Sequence, residues 1–283
     1  MLNSRNKIPI SLRIALCEFM KWRNSYHIWV TFAALIVITS IKVNPIRAYA
    51  MGHGLSVSNW FFCFQFSDGI TCMLFYYAVS LLFCNAPFVD RQQLFVLIRS
   101  GRKNWCVGEV IYILISSMIY FGVIAILDIV IFVPYVGFSS HWETVFTAIA
   151  NGSVSGLNLP IYLIENYTPA SAFVLTYLVN VGIATMLGLL IYFINMGKGK
   201  GFGSAVVIAW ITFSNLISMF PVLVKWAKYI SPMNWTSLSR IGSGESKVPM
   251  GYVASFLLLF DLILVIGIRK RAKRYALEAS EEI

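Results

Sequence analysis

The sequence has few charged residues and few of the residue patterns on which enzyme active sites depend. Only 12% of its 283 residues are Asp, Glu, Lys or Arg, and it has three histidines that lie far apart. Neither the metalloprotease pattern H-E-x-x-H nor the hydrolase pattern G-x-S-x-G occurs. The five cysteines show no metal-ligand spacing, so they predict no metal site. These absences disfavour an enzyme, and no catalytic residue is predicted.

A nucleotide-binding loop is also missing from the sequence. No Walker A pattern, G-x-x-x-x-G-K-[ST], occurs in the chain. The segment GKGKGFGS at 197–204 has the glycines without that spacing, and it is typical of a flexible turn. Any process driven by ATP would therefore need a second protein chain to bind and hydrolyse the nucleotide.

Apolar residues dominate what is present. They make up 58% of the chain, and the mean hydropathy is +0.75, which is typical of a polytopic membrane protein. A transmembrane helix needs about 20 apolar residues, and six runs are candidates. We predict an all-α fold, a single transmembrane domain over 1–283, with spans at 27–41, 60–86, 110–133, 170–195, 203–224 and 249–268.

The short run at 27–41 has an alternative interpretation. It resembles the apolar core of a signal peptide, because AYA at 48–50 has the form of a cleavage site. However, the leader before it holds five basic residues, and AYA begins seven positions after the apolar core ends at 41, which fits a signal peptide poorly. We therefore keep this run as a transmembrane span.

The distribution of basic residues predicts the orientation of the chain. Lys and Arg number five before the first span, four at 91–103, two at 198–200 and five at 269–274, so that 16 of the 22 lie on one side. The positive-inside rule places that side, with both termini, in the cytoplasm of a cell whose plasma membrane the chain spans. Anionic membrane lipids account for the net charge of +10, and no nucleic-acid partner is predicted.

A short charged helix is predicted between the second and third spans, at 91–99. Asp90 is a suitable N-cap, Gln93 completes a capping box, and Ser100–Gly101 provide the stop. So short a helix is marginal in isolation, so it needs a surface to bind. That surface is either the lipid headgroups or a soluble partner, with Phe95 and Ile98 as apolar contacts. The candidate docking residues are Asp90, Arg91, Leu94, Phe95, Ile98, Arg99 and Arg102.

Three features of the sequence resemble those of type-2 ABC transporter permeases: this helix, the sequence LIRSGRKNWCVGEVIY that completes it, and YISPMNW at 229–235. The resemblance extends over most of the chain and is closest to small Gram-positive exporters of antimicrobial or cytolytic peptides, phenol-soluble modulin exporters included. It implies that helix 91–99 is a coupling helix seated in a groove of an ATPase subunit. It also implies a homodimer of permeases with two ATPase copies, which bind ATP and Mg, while this chain binds no cofactor.

An interfacial helix is predicted at 8–26, before the first span. Ile8, Leu12, Leu16, Phe19 and Trp22 recur at helical spacing, and basic residues are interspersed among them. A plain membrane anchor is the alternative. In the resembled family, this helix also borders the ATPase.

Three acidic residues lie inside predicted spans: Asp68, Asp128 and Asp261. Each would cost about 2.5–3.5 kcal/mol facing lipid, and no Lys or Arg lies within a predicted span to neutralise them. We predict that they line an outward-opening path for substrate, with aromatic walls formed by residues such as Phe64, Tyr76 and Tyr120. In the alternative, they hydrogen-bond to a neighbouring helix, with Asn180, Asn215 or Gln65 as partners. Ala184 and Gly188 have the spacing of a close helix contact.

The predicted substrate is a hydrophobic or amphipathic molecule, and a cationic amphipathic peptide suits acidic side chains best. Exporters of a drug, an antibiotic or a lipid-linked substrate, and a regulatory membrane subunit without transport, remain alternatives. Two long external segments, 134–169 and 225–247, contain helix-breaking prolines and predict short external helices or re-entrant hairpins.

Overall fold

The computed structural model describes residues 9–88, 99–152, 159–217, 228–244 and 246–281, and side chains as far as Ala272. This part of the chain is nearly all α-helical. The α-helices are α1 (Ile10–Met20), α2 (Tyr26–His53), α3 (Gly69–Leu82), α4 (Arg102–Phe132), α5 (Thr144–Ala150), α6 (Ile161–Asn166), α7 (Pro169–Lys198), α8 (Phe202–Ile217) and α9 (Met250–Glu281). Short 3₁₀ turns lie at Lys21–Asn24, Phe61–Phe64, Pro232–Asn234 and Leu238–Arg240. Two short strands, β1 (Val57–Ser58) and β2 (Val136–Gly137), pair in parallel.

Four of the described helices are long and apolar enough to cross a membrane: α2, α4, α7 and the part of α9 at Met250–Ala272. Helices α3 and α8 are apolar but shorter over their described residues. The 14 residues of α3 reach about 21 Å, less than a hydrocarbon core of about 30 Å. The described structure therefore supports a membrane protein with four candidate spans.

Two predicted spans differ in extent from the helices observed. The run at 60–86 is not one helix, because the 3₁₀ turn Phe61–Phe64 comes first and Asp68 then caps a separate helix, α3. Helix α2 is longer than the predicted 27–41 and continues through Pro45 to His53, where Gly54 ends it with a positive φ of 63°. The polar residues Lys42 and Arg47 shorten the apolar run in the sequence without ending the helix.

Helix α7 is the centre of the bundle, and α4, α8 and α9 all contact it. Gly188 allows one of these contacts, as its spacing from Ala184 predicts. A Cβ on Gly188 would lie 2.7 Å from a side-chain carbon of Ile113 in α4 and 2.9 Å from Phe83. Because apolar side chains gain little by leaving lipid for protein, such van der Waals contact is a main source of helix association in a membrane.

The molecule has two chemically different ends. The first, which we call the basic end, carries Lys21, Lys200, Arg102 and Arg269 around two cavities formed by helix termini. The opposite, aromatic end joins the loops after α2 and α4 to the start of α7. There, Trp60 Nε1 donates a hydrogen bond to the Ser139 carbonyl (2.6 Å), and an aromatic cluster contains Phe61, Phe64, Phe132, Trp142 and Phe146.

The two long segments expected to be external contain short helices at the aromatic end. Helices α5 and α6 form from 134–169, and 3₁₀ turns form from 225–247. Trp142 Nε1 donates to the Tyr167 carbonyl (2.9 Å), which ties the start of α5 to the start of α7. The prediction of short helices is confirmed for the described residues.

Candidate functional site

Asp128 of α4 is enclosed by protein and only 1% exposed. Gln65 Nε2 donates a hydrogen bond of 2.5 Å to its Oδ1. Gln65 is one of the three partners that the sequence suggested for the buried acids. The second carboxylate oxygen of Asp128 and Oε1 of Gln65 are buried without a hydrogen bond from the described residues. The carboxyl group of Asp128 is therefore held inside the bundle by a single side-chain amide, that of Gln65. It lies in the half of α4 nearer the aromatic end.

Asn180 does not bond to an acid but forms the centre of a second buried polar cluster. Its Oδ1 accepts a hydrogen bond from the Tyr76 hydroxyl (2.8 Å), and its Nδ2 donates to the Thr236 carbonyl (2.9 Å). Thr236 directly follows the YISPMNW motif, and its hydroxyl lies 3.1 Å from the Cys72 thiol. The cluster joins α3, α7 and this motif, which gives the motif a structural role at the aromatic end.

The expected aromatic walls of a path are instead part of the packed core. Phe64, Tyr76 and Tyr120 are fully buried. The Tyr120 hydroxyl donates to the Phe75 carbonyl (2.6 Å), which joins α4 to α3. In this conformation, these three rings hold helices together and do not line an open path.

Asp68 caps α3 rather than lying inside a continuous helix. Its Oδ2 accepts hydrogen bonds from the Thr71 backbone N–H (3.0 Å) and hydroxyl (2.7 Å). Lys42 of α2 is close enough for the two charges to attract each other. Lys42 lies one residue beyond the predicted span 27–41, and the longer α2 therefore brings a basic residue near Asp68 that the predicted span did not contain. The third suggested partner, Asn215, contacts Gly69 and Met73 of α3 instead.

Asp261 is half-buried near the middle of the spanning part of α9. It lies on the face of the helix that also carries the buried Val253, Leu257, Leu264 and Ile268, at the spacing of helical turns. Its Oδ1 is buried and receives no hydrogen bond from the described residues. Asp68, Asp128 and Asp261 therefore occupy three different environments: a helix cap, a buried amide pair and the packed face of α9.

Helix α1 packs against the start of α4 at the basic end. Trp22 Nε1 donates to the Tyr112 hydroxyl (2.8 Å), and the Phe19 ring lies 4.9 Å from the Tyr112 ring. The buried side of α1 is formed by Ile14, Ala15 and Glu18, whereas Leu16 of the predicted apolar stripe is exposed. The stripe is displaced because Gly108 gives Ile14 room to approach α4. Ile8 lies outside the described residues.

Sequence reasoning missed two buried acids at this end, Glu18 and Glu109. Glu18 accepts a hydrogen bond of 3.0 Å from Lys21, whose Nζ also donates to the Phe88 carbonyl. These contacts tie the end of α1 to the loop after α3. Two features of the sequence could have indicated them. Glu18 lies four residues after Ile14 and therefore on the same face of α1, and Glu109 immediately precedes an apolar run.

A cavity of about 650 Å³ lies beside this contact. Side chains from α1, α2, the loop after α3 and α4 line it, together with Lys200 from the turn between α7 and α8. Its polar members include Glu18 and Lys21, and its aromatic members include Trp22, Phe88 and Tyr112. The cavity marks a junction where several helix termini meet.

Five of the seven expected coupling residues lie outside the described residues: Asp90, Arg91, Leu94, Phe95 and Ile98. Arg99 and Ser100 are helical, and Gly101, with φ 78° and ψ 147°, separates them from α4, which begins at Arg102. Asn104 Nδ2 donates to the Ser100 carbonyl (2.8 Å), and Trp105 is buried with its ring edge-on to Tyr192. The predicted stop at Ser100–Gly101 is confirmed, and its geometry favours glycine.

Within the part of the chain that the structure describes, no three His, Cys, Asp or Glu side chains are grouped to hold a metal ion. Comparison of the chain with known proteins gave no matching family, no matching characterised relative and no matching solved structure.

Proposed function

We propose that this chain is the membrane permease subunit of an ABC exporter of the type-2 kind. In this proposal it spans a bacterial plasma membrane six times, with α3 and α8 as the two additional spans and both termini in the cytoplasm. Two identical permeases work with two ATPase subunits, which bind and hydrolyse ATP. The chain exports a hydrophobic or amphipathic molecule, and an amphipathic peptide is the favoured substrate.

The observation that carries the proposal is the arrangement of the basic end. Helix α1 packs on α4 near Gly108 and Tyr112, about two and about three turns after Gly101, where the segment 91–99 joins α4. An N-terminal helix and a candidate coupling helix are therefore close to the same end of the same long helix. Basic side chains gather at this end, which supports its assignment to the cytoplasm.

The path for mechanical coupling in this proposal is α4. This helix has 31 residues and is about 46 Å long, so it extends from the basic end to the aromatic end. In this proposal, a movement of helix 91–99, driven by closure of the ATPase, is passed through Gly101 to the start of α4. The same rigid helix carries Asp128 and its bond to Gln65, and it ends beside Phe61.

The acids favour a substrate with positive charge. Asp261 has a buried oxygen without a hydrogen bond from the described residues, and Asp128 has one as well. A negative charge in a region of low dielectric attracts a cation several-fold more strongly than it would in water. Because Asp128 and the aromatic side chains near it are enclosed here, an open path requires a second conformation, as alternating access demands.

The test begins with a search of the neighbouring genes for a free-standing ABC ATPase. That ATPase is purified together with the chain, and ATP hydrolysis is measured in lipid nanodiscs. The double variant Phe95→Asp/Ile98→Asp should insert normally but lose co-purification and stimulated hydrolysis. A matched control, Phe138→Asp/Ile230→Asp, places the same two changes on exposed apolar side chains of the aromatic end and should retain both. Unchanged co-purification and hydrolysis in the first variant would contradict the proposal.

A further inference from the structure

A second cavity at the basic end has a composition that the exporter proposal does not explain. It has a volume of about 520 Å³ and lies between the start of α4 and the end of the spanning part of α9. Seven residues line it: Arg102, Lys103, Cys106, Ile266, Arg269, Lys270 and Ala272. Four of the seven are basic, and the other three have apolar or weakly polar side chains.

We propose that this cavity binds the headgroup of an anionic phospholipid. Two basic residues come from α4 and two from α9, so the cations face a shared space from both sides. A phosphodiester placed there would be within reach of Arg guanidinium groups, which bind phosphate oxygens in pairs, and of Lys ammonium groups. Basic pockets between helices at the cytoplasmic surface of a membrane are suited to such headgroups.

The described residues around the cavity carry more positive than negative charge. Cys106, in the wall, is close enough to both Glu109 and Arg269 to interact with their charges. Glu109 is buried beneath the wall, so its carboxylate is not on the lining surface. Among the described residues, four cations line the cavity and one acid lies beneath the lining, an arrangement that favours an anion.

The surface next to the cavity distinguishes a lipid from free phosphate. Ile266 lines the cavity and is also the first of several exposed apolar side chains that follow α9 away from the basic end: Ile266, Ile263, Leu262, Leu259 and Leu258. On α4, Leu114 is exposed about three turns after Lys103, on nearly the same side of the helix. A headgroup in the cavity would therefore have acyl chains continuing along apolar surface, whereas inorganic phosphate would use only the charged part.

Lipid binding at this cavity involves this chain alone and does not require an ATPase. The test uses the purified permease in detergent, with retention of phosphatidylglycerol measured by native mass spectrometry against phosphatidylcholine of the same acyl chains. The cavity variant is Lys103→Gln/Arg269→Gln/Lys270→Gln, and Arg102 is left unchanged because it belongs to the candidate coupling residues. The control variant, Arg13→Gln/Arg23→Gln/Lys198→Gln, removes three exposed charges outside this cavity.

We expect preferential retention of phosphatidylglycerol by the natural sequence and a loss of at least about tenfold in the cavity variant, because each basic residue adds attraction for an anionic lipid. The control variant and the charge-preserving Lys103→Arg/Arg269→Lys/Lys270→Arg should retain the lipid. Equal loss in both Gln variants would show a general surface-charge effect and overturn the proposal. Displacement of the lipid by millimolar inorganic phosphate would assign the cavity to free phosphate instead and would also overturn it.

Discussion

Gly108 of α4 and Ile14 of α1 are in a contact that leaves no room for a side chain on the glycine. A Cβ added to Gly108 would lie 2.8 Å from both Cβ and Cγ2 of Ile14 and 2.9 Å from the Ser11 carbonyl oxygen. The N-terminal helix therefore rests on the backbone of α4, and its position is coupled to that of α4 by direct contact.

Replacing Gly108 by Ala should separate α1 from α4 and destabilise the protein by about 1–3 kcal/mol, because neither Cβ of Ile14, which is bonded to the backbone, nor the Ser11 carbonyl can move away freely. Gly52→Ala in α2 is the matched control, since a Cβ there meets nothing within 4 Å and alanine favours a helix. Thermal unfolding of both variants in the same detergent provides the measurement. Equal melting temperatures for the two variants would contradict the close contact.

A second substitution tests the connection between the candidate coupling helix and α4. Gly101 has φ 78° and ψ 147°, a conformation that costs a residue with a side chain about 1–3 kcal/mol. Gly101→Ala should therefore change the direction in which 91–99 leaves α4 and lower ATPase stimulation several-fold. Gly251→Ala, in a helix with open space around the site, should have no such effect. Full stimulation with Gly101→Ala would show that this backbone geometry does not matter for coupling.

Cysteine labelling tests the orientation. On a cysteine-free background, single cysteines at Ser100 and Ser280 should resist an impermeant thiol reagent added to intact cells, whereas one at Ser243 should react. The reason is the concentration of Lys and Arg at the basic end, which resists translocation. Permeabilised cells, in which all three positions should react, provide the control. The opposite pattern in intact cells would reverse the topology and remove the coupling-helix interpretation.

The parts of the fold that the sequence predicts well are those where one long apolar run makes one helix. The runs at 110–133 and 170–195 correspond to α4 and α7, although both helices extend further into polar residues. Prediction was poorer where a polar residue has a local structural role. Asp68 caps a helix that begins inside a predicted apolar run. Lys42 lies within a helix that was predicted to end at 41 but continues to His53.

Contacts between distant residues explain most of what the sequence does not predict at the candidate site. The sequence suggests Gln65 as a partner for a buried acid, and 63 positions separate it from Asp128. It does not predict that Asn180 bonds to Tyr76, because 104 positions separate the two residues and they meet only through the packing of α3 against α7. Nor does it predict the basic cavity, since residues 102–106 and 266–272 meet only through the packing of α4 against α9.

Two substitutions at Asp128 can distinguish a structural role of this acid, through its bond to Gln65, from a role in transport. In Asp128→Asn, the remaining side-chain oxygen still accepts the Gln65 hydrogen bond, so stability should change by less than about 1 kcal/mol. Asp128→Leu leaves the buried Gln65 amide without its acceptor and should cost about 1–3 kcal/mol. Thermal unfolding of both variants checks this difference. Similar losses in both would show that the negative charge, rather than the hydrogen bond, maintains the packing.

The last prediction concerns the charge of the substrate. Asp261 lies on the packed face of α9 with a buried oxygen that has no hydrogen bond from the described residues, so removing its charge leaves no described donor without an acceptor. Asp261→Asn should therefore preserve folding and basal ATP hydrolysis. If the acid attracts substrate, export of a cationic amphipathic peptide should fall at least about fivefold, which corresponds to about 1 kcal/mol of lost attraction. Export of a neutral peptide of the same length and hydropathy should change less, because it has no charge to pair with Asp261.

The measurement is uptake of both peptides into inverted vesicles that contain the permease and its ATPase. Equal loss for the two peptides would assign Asp261 to helix packing, and the proposal of a cationic substrate would then lose its structural support.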